Sequence, residues 1–250
     1  MSIGIIIQAR MGSTRLANKM ILPFYKNESV LELLVLRIKS TTDIPVCIAT
    51  TQNPIDDAIE NLAIENKVMI FRGEENNVLN RFIKASEKFG FDKIIRVCAD
   101  NPFLDMGFLN KMIRGLKVLD CDYYAFYNNK DMPSILTHYG FWTEGVTLDA
   151  LKKIEKTTKD KTYLEHVTNY IYKNVSEFTI HKYKIDDKIA KAIDIRLTLD
   201  TKEDFLLLQK IYLKIIINGI KFSAPQIIDF IDNNDIWKRE MKNNIEKNSK

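Results

Sequence analysis

Ile3-Gly-Ile-Ile-Ile-Gln-Ala-Arg-Met-Gly-Ser-Thr-Arg-Leu-Ala-Asn-Lys19 is the stretch that decides the fold. Its first six residues form a near-continuous apolar run, too short to span a membrane. Such an uninterrupted run is a strand buried on both faces, which needs helices above and below it. The polar remainder is a loop leaving the strand's carboxyl end. Outward from here the alternation repeats. Val30, Leu33, Leu34 and Ile38 stand at helical spacing within 29–39, and 46–50 is the next strand. Asn53 as N-cap and Pro54 at the first helical position start another helix. Strand 68–71, helix 77–89, strand 93–99, helix 105–119 and strand 122–127 follow. This order predicts right-handed βαβ crossovers and an α/β fold built on a mostly parallel, doubly wound sheet.

The second half is less regular. Strands are expected at 138–144, 178–183 and 193–199, and helices at 148–154, 163–172, 202–217 and 224–233. No Pro/Gly/Ser-rich linker separates the halves, so residues 1–235 read as one domain with a smaller irregular insertion. Residues 128–170 are the segment expected to serve as a lid or a dimer contact. Residues 236–250 read as a polar C-terminal tail that frays.

Composition narrows the function classes. The 250 residues are 46% hydrophobic and 28% charged, which excludes disordered, collagen-like, coiled-coil and disulfide-scaffold chains. The 37 basic and 33 acidic residues leave a net charge of +4, too slight for a dedicated nucleic-acid binder. Lysine-rich stretches at 152–161 and 238–250 read as solvated surface. Cys47, Cys98 and Cys121 are odd in number, far apart and set beside apolar runs, as buried free thiols in a reducing compartment are. With no charged n-region before the first strand, the expectation is a cytoplasmic protein without a membrane partner.

In doubly wound sheets, ligands bind beyond the carboxyl ends of the strands. The loop at 8–19 carries Arg10, Arg15 and Lys19 around Gly12 and Ser13, a set that suits a polyphosphate or a plain solvated loop. Asp100 ends another strand and suits a ligand for Mg²⁺, or a turn residue before Pro102. Asp200 ends a third apolar run; it suits a second metal carboxylate, or a helix N-cap with Glu203 completing a capping box.

The chain also resembles the spore-coat polysaccharide biosynthesis protein F family, which is related more distantly to CMP-sialic acid and CMP-Kdo synthetases. The resemblance rests on Ile-Ile-Gln-Ala-Arg-Met-Gly-Ser-Thr-Arg-Leu-x-x-Lys at 6–19. Ala-Thr-Thr at 49–51, Phe-Arg-Gly-Glu at 71–74 and Val-Leu-Asn-Arg at 78–81 follow in the family's order. So do Arg-Val-x-Ala-Asp-x-Pro at 96–102, Glu-His-Val-Thr at 165–168 and Arg-Leu-Thr-Leu-Asp-Thr-Lys-Glu-Asp-Phe at 196–205. It implies a GT-A-like nucleotidyltransferase, a Mg²⁺- or Mn²⁺-dependent cytidylyltransferase that passes CMP from CTP to a small acceptor. That acceptor would be an acidic sugar, or a phosphorylated or phosphonylated molecule, used in surface polysaccharide or glycoconjugate synthesis.

By resemblance, Gln8, Ala9, Arg10, Gly12, Ser13, Thr50, Arg72 and Ala99 would bind the nucleotide, with Arg15, Lys19 and Asp100 catalytic. Asp100 and Asp200 would hold the metal, and a homodimer would be usual. Trp142, Glu144, Glu165 and His166 would face the acceptor. Gly-Phe-Trp-Thr-Glu at 140–144 stands where the family reads Gly-Leu-Asp-Val-Glu, so Trp142 replaces an acidic residue. A nucleotide-sugar-dependent glycosyltransferase and a catalytically inactive sugar-nucleotide-binding protein are the competing readings.

Overall fold

A computed structural model describes residues 1–248. Strand β1 (Ile3–Gln8) lies at the centre of the main sheet, and the alternation of its side chains explains the layers on either side. Ile3, Ile5 and Ile7 point into one core and Ile6 into a second. β1 pairs in parallel with β4 (Val46–Thr51) on one side and β6 (Lys93–Cys98) on the other. β5 (Met69–Gly73) extends the sheet beyond β4. On the far side, β8 (Glu144–Thr147) runs antiparallel between β6 and β7 (Tyr123–Tyr127), and β9 (Ile180–Lys184) pairs in parallel with β7. The order is therefore β5-β4-β1-β6-β8-β7-β9, with β8 the one reversed strand. Two short strands, β2 (Pro23–Tyr25) and β3 (Glu28–Ser29), form a separate hairpin inside what reads in sequence as loop.

The first core is covered by α1 (Val30–Lys39), α2 (Asp57–Glu65), α4 (Met106–Val118), α9 (Lys202–Ile217) and α10 (Ala224–Asp232). The second lies under α3 (Val78–Phe89) and α5 (Leu148–Thr157). Short helices α6 (Lys161–Glu165), α7 (Asn169–Lys173) and α8 (Asp187–Ala190) complete the connections. No described helix is long and apolar enough to cross a membrane.

Close packing at the sheet is visible at Gly4, where a Cβ would lie 2.2 Å from the Phe91 ring. Phe91 is itself buried and cannot swing away. Gly4→Ala is therefore expected to lower stability by about 1–3 kcal/mol in a denaturant titration, through overpacking.

Four expectations are corrected. The strand expected at 138–144 begins only at Glu144, and the apolar run 193–199 forms none. Residues in that run make isolated backbone bonds instead: Leu197 N–H to His138 O and Leu199 N–H to Asp100 O, each 2.8 Å. The helix expected at 163–172 is broken into α6 and α7 around His166–Thr168. Of the polar tail expected at 236–250, residues 249–250 lie outside the described residues and 236–248 are helical. The latter lie in helix α11 (Asp235–Asn248), which buries Trp237, Met241 and Asn244. The polar composition hid three inward positions spaced four and three residues apart, which is one helical face.

Candidate active site

The loop after β1 is shaped by a residue that sequence reasoning did not single out. Asp56 is buried in the 3₁₀ turn Pro54–Asp56, which Asn53 caps by accepting from Ile55 N–H. Its carboxylate accepts from Met11 N–H at 2.7 Å, Thr50 Oγ1 at 2.9 Å, Thr51 N–H at 3.0 Å and the Thr51 hydroxyl. The bend at Met11 is thereby tied to the end of β4. The only advance signal was an acidic residue three positions after an Asn-Pro turn.

Beyond that bend, Arg15 and Lys19 turn toward two carboxylates. Arg15 Nη2 donates to Asp200 Oδ1 at 2.8 Å. Lys19 Nζ donates to Leu199 O at 2.8 Å and stands 3.7 Å from Asp100 Oδ2 and 3.9 Å from Asp200 Oδ1. The Leu199–Asp100 backbone bond explains why the two acids meet: it lays the segment before α9 along the loop after β6. Thus Arg15, Lys19, Asp100 and Asp200, separated by up to 185 residues in sequence, form one cluster.

Asp200 is further held by Arg196, which is only 2% exposed. Arg196 Nη2 donates to Asp200 Oδ2 at 2.9 Å, and its Nε and Nη2 grip both oxygens of buried Asp204 at 2.8 and 2.9 Å. Burial alone would push the Asp204 carboxyl up, but the Arg196 bonds and charge override it and hold it below its ordinary value. Arg196 Nη1 meets His138 Nδ1 at 2.9 Å. Since a guanidinium can only donate, Nδ1 accepts and the ring proton belongs on Nε2. Burial, then the Arg196 charge, lowers the pKa of His138, so the ring is neutral near pH 7. Asn244 of α11 donates to Asp204 Oδ1 at 3.2 Å, bringing the last helix into the same network. The N-cap of α9 is Thr201, not Asp200, and Asp204 rather than Glu203 closes the capping box. The one-residue offset leaves Asp200 facing the cluster.

The other expected site residues divide. Ala9 and Ala99 are buried at the ends of β1 and β6, joined by the Ala99 N–H to Gln8 O bond, and Gly12 and Ser13 lie on the loop. Arg10 is 3.6 Å from Glu165. Thr50 is fully buried on Asp56. Arg72 spends its guanidinium on Asp57 and Glu60 at 2.6 Å and on the carbonyls of Thr51 and Asn53 at 2.9 Å. These two residues therefore hold strand and helix together. Glu144, expected to face an acceptor, is also fully buried. It accepts from Arg96 Nη1 at 2.6 Å, from the Tyr123 hydroxyl and from Thr168 Oγ1. Gln8 Oε1 accepts from Arg96 Nη2 at 3.3 Å. A second residue missed from sequence is Arg81, 1% exposed, whose Nη1 donates to Glu74 O and Glu75 O while Nε and Nη2 lack protein partners. Burial lowers its pKa to about 10, leaving it charged.

A cavity of about 300 Å³ opens between the loop after β6 and the segments at 134–142 and 198–200. Asp100, Asp200, His138, His166 and Trp142 line it. Trp142 fills the position of the expected acid by packing on Phe108 and Phe126, at ring distances of 4.5 and 5.3 Å.

Comparison with known proteins gives a consistent result. A family model described as cytidylyltransferase matches residues 4–224. The chain is 38% identical over 232 residues to the uncharacterized protein MJ1063 of Methanocaldococcus jannaschii, covering 92% of this chain and 90% of that one. It is 34% identical over 215 residues to the spore coat polysaccharide biosynthesis protein SpsF of Bacillus subtilis, covering 84% and 85%. Among solved structures, a cytidylyltransferase from Leptospira borgpetersenii superposes with a TM-score of 0.82 at 29% identity, covering 95% of this chain and 96% of that one.

Proposed function

The chain belongs to the cytidylyltransferase family, and from that premise we propose that it transfers CMP from CTP to an oxygen of a small acceptor, releasing pyrophosphate. The observation that carries this reading is the meeting of Arg15 and Lys19 with Asp100 and Asp200 beyond the carboxyl ends of β1 and β6. An acceptor oxygen attacks the α-phosphorus, and the bond to the bridging oxygen breaks with its electrons leaving on pyrophosphate. Arg15 and Lys19 are placed to turn from the carboxylates to the phosphates and hold charge on the departing group.

Asp100 and Asp200 suit a divalent cation. Hard carboxylate oxygens from two segments face one cavity, and Mg²⁺ is commonly held by one or two carboxylates together with substrate phosphates. The metal, Mg²⁺ or Mn²⁺, would supply further positive charge at the phosphates. The chain's own part is to keep the acids together: Arg196 fixes Asp200, the Leu199 bond fixes Asp100, and Lys19 spans both.

The test is pyrophosphate release with each of the four nucleoside triphosphates, followed by Lys19→Met. CTP is expected to be preferred. Loss of one charge-assisted contact is expected to raise the KM for CTP by roughly 10- to 150-fold, the equivalent of about 1.5–3 kcal/mol. Unchanged CTP kinetics in Lys19→Met would remove the triphosphate from this loop.

A further inference from the structure

Glu144, the first residue of β8, is fully buried and out of reach of any solute. Its register partner across the sheet is Arg96 of β6, whose Nη1 donates to it at 2.6 Å. A buried guanidinium needs a buried anion, so this pairing by itself calls for an acid. Two further contacts go beyond that need. The Tyr123 hydroxyl and Thr168 Oγ1 both donate to the carboxylate, Thr168 at 2.9 and 3.0 Å from its two oxygens.

Thr168 is the N-cap of α7, where a threonine side chain ordinarily accepts from the first turn. Here it makes no capping bond, and its backbone is helical rather than extended. Its hydroxyl is committed to Glu144 instead. In this break between α6 and α7 the chain passes from exposed Glu165 and His166 to buried Val167 and Thr168. Val167 enters the second core. The inward turn leaves His166 on the wall of the cavity beside Asp100 and Asp200, and Tyr172 of α7 lines the same cavity. Arg96 lines it as well, and its Nη2 reaches Gln8 Oε1 at the end of β1. One carboxylate that does not line the cavity thus holds three wall residues, Arg96 directly and His166 and Tyr172 through Thr168. Asp100 and Asp200 line this cavity, whereas Arg15 and Lys19, which meet them, do not. The cavity is therefore offered to the reactant that those cations do not hold.

We infer that Glu144 is a positioning residue for the acceptor: through Arg96 and Thr168 it sets the wall made by Arg96, His166 and Tyr172, and it touches no substrate itself. The inference rests on the cytidylyl-transfer reading.

The experiment compares Thr168→Val, Thr168→Ser and Glu144→Gln in the full chain. Thr168→Val keeps the side-chain shape and deletes only the hydroxyl. The Arg96–Glu144 pair stays in place, so folding does not depend on a stranded charge. Pyrophosphate release from CTP and Mg²⁺ is measured with hexoses, hexose phosphates and ketosugar acids, using whichever the native chain turns over. Thr168→Val is expected to lower kcat/KM for the acceptor by about tenfold to a hundredfold, the scale of a misplacement within about 1 Å. The KM for CTP should be unchanged, and Thr168→Ser should restore the native value. A role confined to folding would lower the melting temperature but leave native acceptor kinetics in the folded fraction, which overturns the inference. Direct contact between Glu144 and the acceptor would also overturn it. In that case Glu144→Gln raises the acceptor KM and Thr168→Val leaves it unchanged.

A second readout needs no acceptor. The chain has 3 histidines, so its imidazole resonances are few. The His166 signal, assigned with His166→Gln, is expected to shift in Thr168→Val and return in Thr168→Ser, with those of His138 and His181 in place. An unmoved His166 signal together with unchanged acceptor kinetics overturns the inference. Absence of pyrophosphate release by the native chain with every acceptor would remove the transfer reading, and the His166 signal would still decide whether Glu144 holds the wall.

Discussion

Asp100→Asn is expected to cut CTP-dependent pyrophosphate release by about a hundredfold to a thousandfold, the scale seen when one preorganised electrostatic group is lost from a transition state. The substitution is nearly isosteric and removes only the negative charge. Asp100 is partly exposed, with its side chain 3.7 Å from Lys19. Lys19 is buried but keeps its bond to Leu199 O and its contact with Asp200, so losing the longer Asp100 contact is expected to cost about 1 kcal/mol and to move the melting temperature by no more than a few degrees. The two readouts therefore separate. A large loss of rate at unchanged stability fits a role at the phosphates, and an unchanged rate would remove Asp100 from the reaction. Titrating Mg²⁺ and Mn²⁺ against both proteins gives the same test independently, since the variant should need a higher concentration of either metal.

Arg196→Met is expected to have the largest effect on stability. Removing one partner of a buried pair strands the other, here Asp204, at about 3–5 kcal/mol. For a chain of this size, that corresponds to a melting temperature lower by roughly 10 °C. The pH dependence should flatten as well. In the native protein Asp204 is held below its ordinary pKa. The stability it contributes is present above the unfolded carboxyl value of about 3.9 and is lost as pH falls through the lower folded value. Without Arg196, burial is opposed only by the bonds from Asp200 N–H, Thr201 N–H and Asn244, so the folded pKa rises. The variant should then lose less stability than the native protein as pH falls toward about 4. Adding Asp204→Asn to Arg196→Met should recover part of the loss, because the stranded charge is gone. A thermal series from pH 4 to 8 on the three proteins checks all of this. A variant with native stability and an unaltered pH profile would show that Arg196 does not neutralise Asp204.

Legibility in the sequence followed the range of the interactions. β1, β4 and β6 were readable because buried parallel strands are apolar throughout, and α1 and α3 because their apolar residues repeat at helical spacing. The stretch 193–199 alternates apolar and polar residues as a half-buried strand does, but forms none. Leu197 and Leu199 bury their side chains against the core while their N–H groups go to His138 and Asp100 rather than to a ladder. Apolarity reports burial, and here burial came without sheet pairing. Helix α11 failed for the opposite reason, since three inward residues among many lysines and asparagines are a faint signal until a surface is present to receive them.

The candidate site was legible as residue types at strand ends, not as a constellation. Arg15, Lys19, Asp100 and Asp200 could each be named, but plain turn or cap readings were open for the acids. Arg72 and Glu144 had equal standing and proved to be engaged by protein groups. Nothing local distinguishes an arginine that meets a ligand from one that meets two carboxylates on the next helix. Asp56, Arg196 and Asn244 escaped notice because their importance lies in partners that only folding brings within hydrogen-bond reach.

By itself, the sequence determined the alternating strands and helices, the parallel centre of the sheet and the strand ends where chemistry could sit. Those follow from periodicity and burial, which act over a few residues. Only the tertiary structure decided which charges meet. The bond from Leu199 N–H to Asp100 O and the hold of Arg196 on Asp200 bring acids a hundred residues apart onto one lysine. Electrostatic energy depends on distances of a few ångströms, and those distances are set by the packing of the whole chain.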